Sequence, residues 1–127
     1  MAVTRLLWVF AAGGLGSVLR YAIAVWSADR FGTAFPYGTL MVNISGCFLI
    51  AIAVQLVAAS WWDAEWHVAV TAGLLGGFTT YSAFNEQTIQ LIQSGAAGAA
   101  AMNVAVTLIG GLAAGWLGLV VARQLIG

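Results

Sequence analysis

Charge is nearly missing from this chain. Only 6% of its 127 residues are charged, four basic and four acidic, and every basic one is an arginine. A soluble domain carries about 25% charged residues. So few charges cannot cover a water-facing surface of this size, which excludes an ordinary soluble globular protein and a disordered chain. Lysine is absent and the formal net charge is zero. No basic patch exists for nucleic acid, so none is expected as a partner. Proline and cysteine each occur once, as Pro36 and Cys47. A single cysteine forms no intrachain disulfide, and Cys47 lies in an apolar run, where it reads as a small buried hydrophobe. What the chain has in abundance is apolar surface, at 62% of residues. The composition is that of a small integral membrane protein.

A membrane-spanning helix needs about 20 mostly apolar residues. Charges and turn residues divide the chain into four such stretches. They run from about Thr4 to Ala28, Tyr37 to Ala59, Ala64 to Gln93 and Ala96 to Leu125. The period-two alternation of a membrane barrel strand is missing, so the expected class is all-α, one four-helix domain over residues 1–127. The third stretch is too long for one plain span. Its Gly76-Gly77 pair costs about 2 kcal/mol of helix propensity relative to two alanines, and the β-branched Thr79 and Thr80 follow. A break between about Leu75 and Tyr81 is expected. Its freed carbonyls need partners, which a bound cation or the threonine hydroxyls can supply.

Orientation follows the arginine and lysine bias of the loops. With four spans, Arg5 and Arg123 fall on one side, and Arg30 and the far-end Arg20 on the other. That two-against-two count gives almost no preferred orientation. Either topology inserts, and an inverted copy of the chain is then available for an antiparallel homodimer. Should Arg20 face protein, a weak two-to-one bias remains.

Polar side chains inside spans are costly and face the protein interior or a watery path. Thr39 and Asn43 share a helix face, as do Asn103 and Thr107, each pair four apart. In the third stretch Tyr81, Phe84, Asn85 and Thr88 stand three, four and seven apart. One such stripe is accounted for by interhelical hydrogen bonding. Three in a four-span protein favour a lined path for a small polar solute. The glycine clusters at Gly13, Gly14 and Gly16 and at Gly110, Gly111, Gly115 and Gly118 mark close helix packing.

In four places, in order, the chain resembles the CrcB/Fluc family of fluoride channels. The stretches are Gly13-Gly14-Leu15-Gly16-Ser17-Val18-Leu19-Arg20-Tyr21, Gly38-Thr39-Leu40-Met41-Val42-Asn43-Ile44-Ser45-Gly46, Gly76-Gly77-Phe78-Thr79-Thr80-Tyr81-Ser82-Ala83-Phe84, and the pair Asn103 and Thr107. The resemblance implies an antiparallel, dual-topology homodimer in the cell membrane, with two fluoride pores between the subunits. It implies a structural sodium ion at the dimer centre, held by the carbonyls of Gly76 and Thr79. It also implies that Tyr81 and Phe84 turn ring edges toward fluoride, that Asn43, Asn103 and Thr107 line its path, and that Arg20 stands near the vestibule. The chain departs from the family pattern at Tyr81, where phenylalanine is usual, at Ala83, where threonine is usual, and at Asn85-Glu86-Gln87.

The chemistry agrees. Fluoride is strongly hydrated, so a pore must replace its water with donors. Asparagine and threonine supply N–H and O–H groups, and aromatic ring edges are electropositive. Conduction also needs binding weak enough for release, which suits a path without lysine. A four-span multidrug exporter is the main rival, but it relies on a membrane carboxylate, and the first span holds none. A structural membrane subunit is a further alternative, which the three stripes disfavour. An enzyme is not expected, because no catalytic constellation is assembled.

Overall fold

The computed structural model describes residues 2–127. Those residues form helices and short turns, with no strand among them. Helix α1 spans Ala2–Phe31, α2 Tyr37–Ala58, α5 Tyr81–Gln93 and α6 Ala97–Ile126. Between α2 and α5 the chain runs through a short α3 (Ala64–Val68), a π-helical segment (Ala69–Leu75) and a short α4 (Gly76–Phe78). Three helices, α1, α2 and α6, are long and apolar enough to cross a membrane. The remaining expected stretch, Ala64 to Gln93, is assembled from the shorter pieces. Observed ends lie within three residues of the expected ones. The helices run on until a turn stops them.

Those turns have local causes. Asp63 caps α3, its carboxylate accepting from the N–H groups of Glu65 and Trp66 at 3.0 and 2.9 Å, the role short acidic side chains play at helix starts. After α5, Ala96 N–H returns to Leu91 O at 2.8 Å and Gly95 N–H to Ile92 O at 3.1 Å. This is the paired bonding of a Schellman ending, with Gly95 at φ 81°. The end of α2 is built the same way around Ser60 at φ 62°. A serine pays the steric cost there that glycine avoids.

The chain is packed as a membrane protein. Its buried apolar residues are mostly small, such as Val42, Ala53, Ala69, Ala100 and Ala122. Large ones such as Phe10, Ile109 and Leu112 point outward, at 82%, 70% and 78% exposure. In water such a surface would aggregate; in lipid it is solvated, and close backbone packing holds the helices together. Helix α6 lies mainly along α2, and α1 lies along the π segment and α4.

The glycines explain the second contact. A Cβ on Gly16 would overlap the Leu74 carbonyl oxygen, and one on Gly77 the Gly13 carbonyl oxygen. The Gly76-Gly77 pair, expected to break the helix, is therefore itself helical and lets two backbones touch. The interruption falls at the threonines. Thr79 has φ −88° and ψ 157°, and Thr80 φ −154° and ψ 113°.

Candidate functional site

The peptide around Thr79 and Thr80 belongs to no helix, so its hydrogen bonds have to come from elsewhere. A continuing α-helix would bond Thr80 N–H to Gly76 O and Tyr81 N–H to Gly77 O. Instead, Thr80 N–H donates to Asn43 Oδ1 at 2.8 Å, and Asn43 Nδ2 donates to Thr80 O at 3.0 Å. One amide side chain on α2 clamps both polar groups of one residue. Arg20 Nε donates to Gly77 O at 3.0 Å, replacing the missing helical donor. Thr79 Oγ1 donates to Leu75 O at 2.9 Å, closing the turn below. Thr80 Oγ1 accepts from Ala83 N–H at 3.2 Å and caps α5. Gly76 O is left without the donor that a continuing helix would give it, and Gly76 is exposed.

The interruption borders a groove of about 440 Å³. Asn43, Gly76, Thr79, Tyr81, Phe84 and Thr107 all line it. Tyr81 is 78% exposed, whereas Phe84 is 9% exposed. Their ring centroids are 5.7 Å apart, with the planes inclined at 52°. Six of the eight residues expected at the site thus meet on one surface. Two stand apart. Arg20 is half-buried, lines neither this groove nor the second cavity, and binds the backbone of the interruption. Asn103 is 2% exposed, and its Nδ2 donates to Thr88 Oγ1 at 2.9 Å. Thr88 Oγ1 in turn donates to Phe84 O at 2.7 Å.

A second cavity, of about 600 Å³, opens near the ends of α1 and α5 and the starts of α2 and α6. Ser27, Thr33, Tyr37, Thr39, Gln87, Gln90 and Ser94 supply its polar side chains. Thr39 and Asn43, one stripe in the sequence, therefore serve two different cavities. Gln87 Oε1 is buried and has no hydrogen-bond partner among the described residues.

Comparison with known proteins identifies the family. Residues 7–119 match the family described as CrcB-like protein, Camphor Resistance (CrcB). The chain belongs to the CrcB family. Relatives of this CrcB protein carry the name fluoride-specific ion channel FluC. The one from Acidobacterium capsulatum is 38% identical over 123 residues, covering 96% of this chain and 98% of its own. That from Sorangium cellulosum is 42% identical, covering 96% and 97%. That from Anaeromyxobacter dehalogenans is 40% identical over 126 residues, covering 98% and 100%. With its long apolar helices, this CrcB chain is a multi-pass membrane protein.

Sequence reasoning missed three features of the site. Thr88 was visible as a member of a polar stripe, but not as the link between Asn103 and Phe84. Arg20 was visible as a charge within a span, which is a signal for a buried partner; that the partner is a carbonyl needed the fold. The π segment Ala69–Leu75 left no sign, because its residues are ordinary helix-compatible types.

Proposed function

We propose that the chain is a fluoride-selective channel that lets fluoride leave the cell passively across the plasma membrane. The observation that carries this reading is the 38–42% identity, over nearly the whole chain, to proteins named fluoride-specific ion channels. The groove gives it a chemical basis. Phe84, Tyr81, Asn43 and Thr107 share its lining, and electropositive ring edges, amide N–H and hydroxyl groups are the chemistry an anion needs. Asn43 spends one N–H on Thr80 O and keeps a second for an anion. This is transport and not catalysis; the chain is not an enzyme.

The groove is open in a single subunit, and its rim carries Leu112 and Tyr81, each 78% exposed. An inverted second copy would cover it, as the balanced arginines allow. The proposed unit is accordingly an antiparallel homodimer, with the interruption at mid-membrane. Gly76 and Thr79 suit a sodium ion at its centre. Both line the groove, Gly76 O has lost its helical donor, and neutral carbonyl oxygens are hard ligands for a hard cation. Sodium would neutralise those dipoles and hold the subunits together. The multidrug-exporter alternative lacks support, because the sole acid of α1 is Asp29, in its last turn.

Purified protein in liposomes should release fluoride and retain chloride. Equal release of both, or of neither, overturns the channel reading. Single-sided labelling of a loop cysteine in a Cys47→Ala background should modify about half the molecules; uniform labelling rejects the inverted dimer. Exchanging all sodium for a large organic cation should weaken both dimer and flux. Undiminished dimer and flux reject the cation site.

A further inference from the structure

Groove and second cavity follow one another along α5 and α6. Along α5 the groove is lined as far as Phe84, and the cavity from Gln87 onward. Toward α6 the cavity ends at Ala96, just before the helix, and along α6 the groove begins at Thr107. On α6, Asn103 lies between those limits; on α5, its hydrogen-bond partner Thr88 follows Gln87, one turn beyond Phe84. Among the described residues it is the one side-chain hydrogen bond joining α5 to α6.

The order of donors in this relay fixes its polarity. Thr88 has one hydroxyl proton, and Phe84 O takes it at 2.7 Å. Toward Asn103 the oxygen acts only as an acceptor, so the amide must present nitrogen, not oxygen, to α5. Asn103 Nδ2 then has one N–H on Thr88 and a second that no group among the described residues takes. Were the amide reversed, a carbonyl oxygen would face an already proton-donating hydroxyl's lone pairs, and two acceptors would oppose each other. With Asn103 2% exposed, that conflict would sit out of water, where it is costly.

Building on the channel reading, we propose that Thr88 is a positioning residue for the fluoride path. Anchored on Phe84 O, it holds the Asn103 amide with its donors turned toward the divide between groove and cavity. Thr88 itself touches no ion. It decides whether the passing anion meets an N–H or a carbonyl oxygen.

The test uses the full chain in liposomes. Thr88→Val keeps the shape and removes the hydroxyl; it should lower fluoride flux at least about tenfold and raise chloride leak relative to fluoride. Thr88→Ser restores the hydroxyl and should stay within about threefold of the wild type. In an Asn103→Ala background, Thr88→Val should cost less than about twofold more, because the pair acts as one unit. Thr88→Ala and Thr88→Ser differ by the hydroxyl alone, so they carry the same comparison should the valine variant not fold. Wild-type flux and selectivity in Thr88→Val, equal loss in the serine and alanine variants, or a full tenfold loss added to Asn103→Ala would each overturn the assignment. An inactive wild type would instead overturn the channel reading beneath it.

Discussion

The α2–α6 pair and the segment from Ala64 to Gln93 solve the membrane problem in opposite ways. The pair consists of two unbroken helices, each satisfying its own backbone. They pack along small residues; a Cβ on Gly118, for example, would overlap Phe48 O. The interrupted segment cannot satisfy itself. It draws hydrogen bonds from Arg20 on α1 and Asn43 on α2. Continuous helices therefore act as scaffold and interrupted backbone as the site, with Arg20 and Asn43 of the continuous helices holding the interruption in shape.

Substitutions that sever this support should have the largest effects. Asn43→Leu removes both bonds to Thr80. Each is worth about 1 kcal/mol, with a further desolvation cost for the groups left unpaired. It should lower the melting temperature in detergent and abolish fluoride efflux. Even Asn43→Asp, close in shape, loses the Nδ2 donor to Thr80 O, so it should destabilise as well as block. A variant with wild-type melting and flux would show that the clamp is incidental.

Phe84→Ile should separate function from support. It removes the electropositive ring edge and keeps an apolar side chain, so the protein should stay folded while efflux falls about a hundredfold, equivalent to roughly 3 kcal/mol of barrier. Retained efflux would place the path elsewhere.

Next in size are changes that disturb the interruption without touching the groove. Gly77→Ala drives a methyl into Gly13 O and should cost about 1–3 kcal/mol in thermal unfolding. Arg20→Met strands Gly77 O and should cost about 1–3 kcal/mol. Gly14→Ala on α1, with nothing within 4 Å of its new Cβ, is the glycine-to-alanine control and should be neutral or slightly stabilising.

The smallest effect belongs to the scaffold pair. A Cβ on Gly111 would meet Cys47 Sγ at 3.4 Å, an ordinary contact. Gly111→Ala should shift stability by less than about 1 kcal/mol in the same measurement. A loss as large as that of Gly77→Ala would erase the distinction between scaffold and interrupted segment.

Much of this was legible in the residues. Apolar run length gave the spans, because a helix crossing lipid needs a fixed number of apolar residues. Polar exceptions such as Asn43, Thr107 and Arg20 marked the site, because burying them demands partners. The Gly76-Gly77 pair showed where to look for an interruption, but for the wrong reason. Glycine lowers helix propensity and also lets backbones touch, and only the presence of Gly13 opposite Gly77 selects between the two. Thr39 and Asn43 share a face at helical spacing, yet spacing carries no information about what another helix places between them.

The sequence by itself determined the class: a charge-poor chain with four apolar stretches, an interruption somewhere between about Leu75 and Tyr81, and a set of polar groups too costly to bury without purpose. These follow from local composition and from the cost of bringing polar groups into lipid; the interruption's place at Thr79 and Thr80 came from the fold. Tertiary structure alone decided which groups meet. Asn43 finds Thr80 across 37 residues, Arg20 finds Gly77 across 57, and Asn103 finds Thr88. A hydrogen bond depends on ångström distances between helices, and those distances are set by how closely glycine-bearing backbones pack, a property of pairs of surfaces that no single stretch of chain encodes.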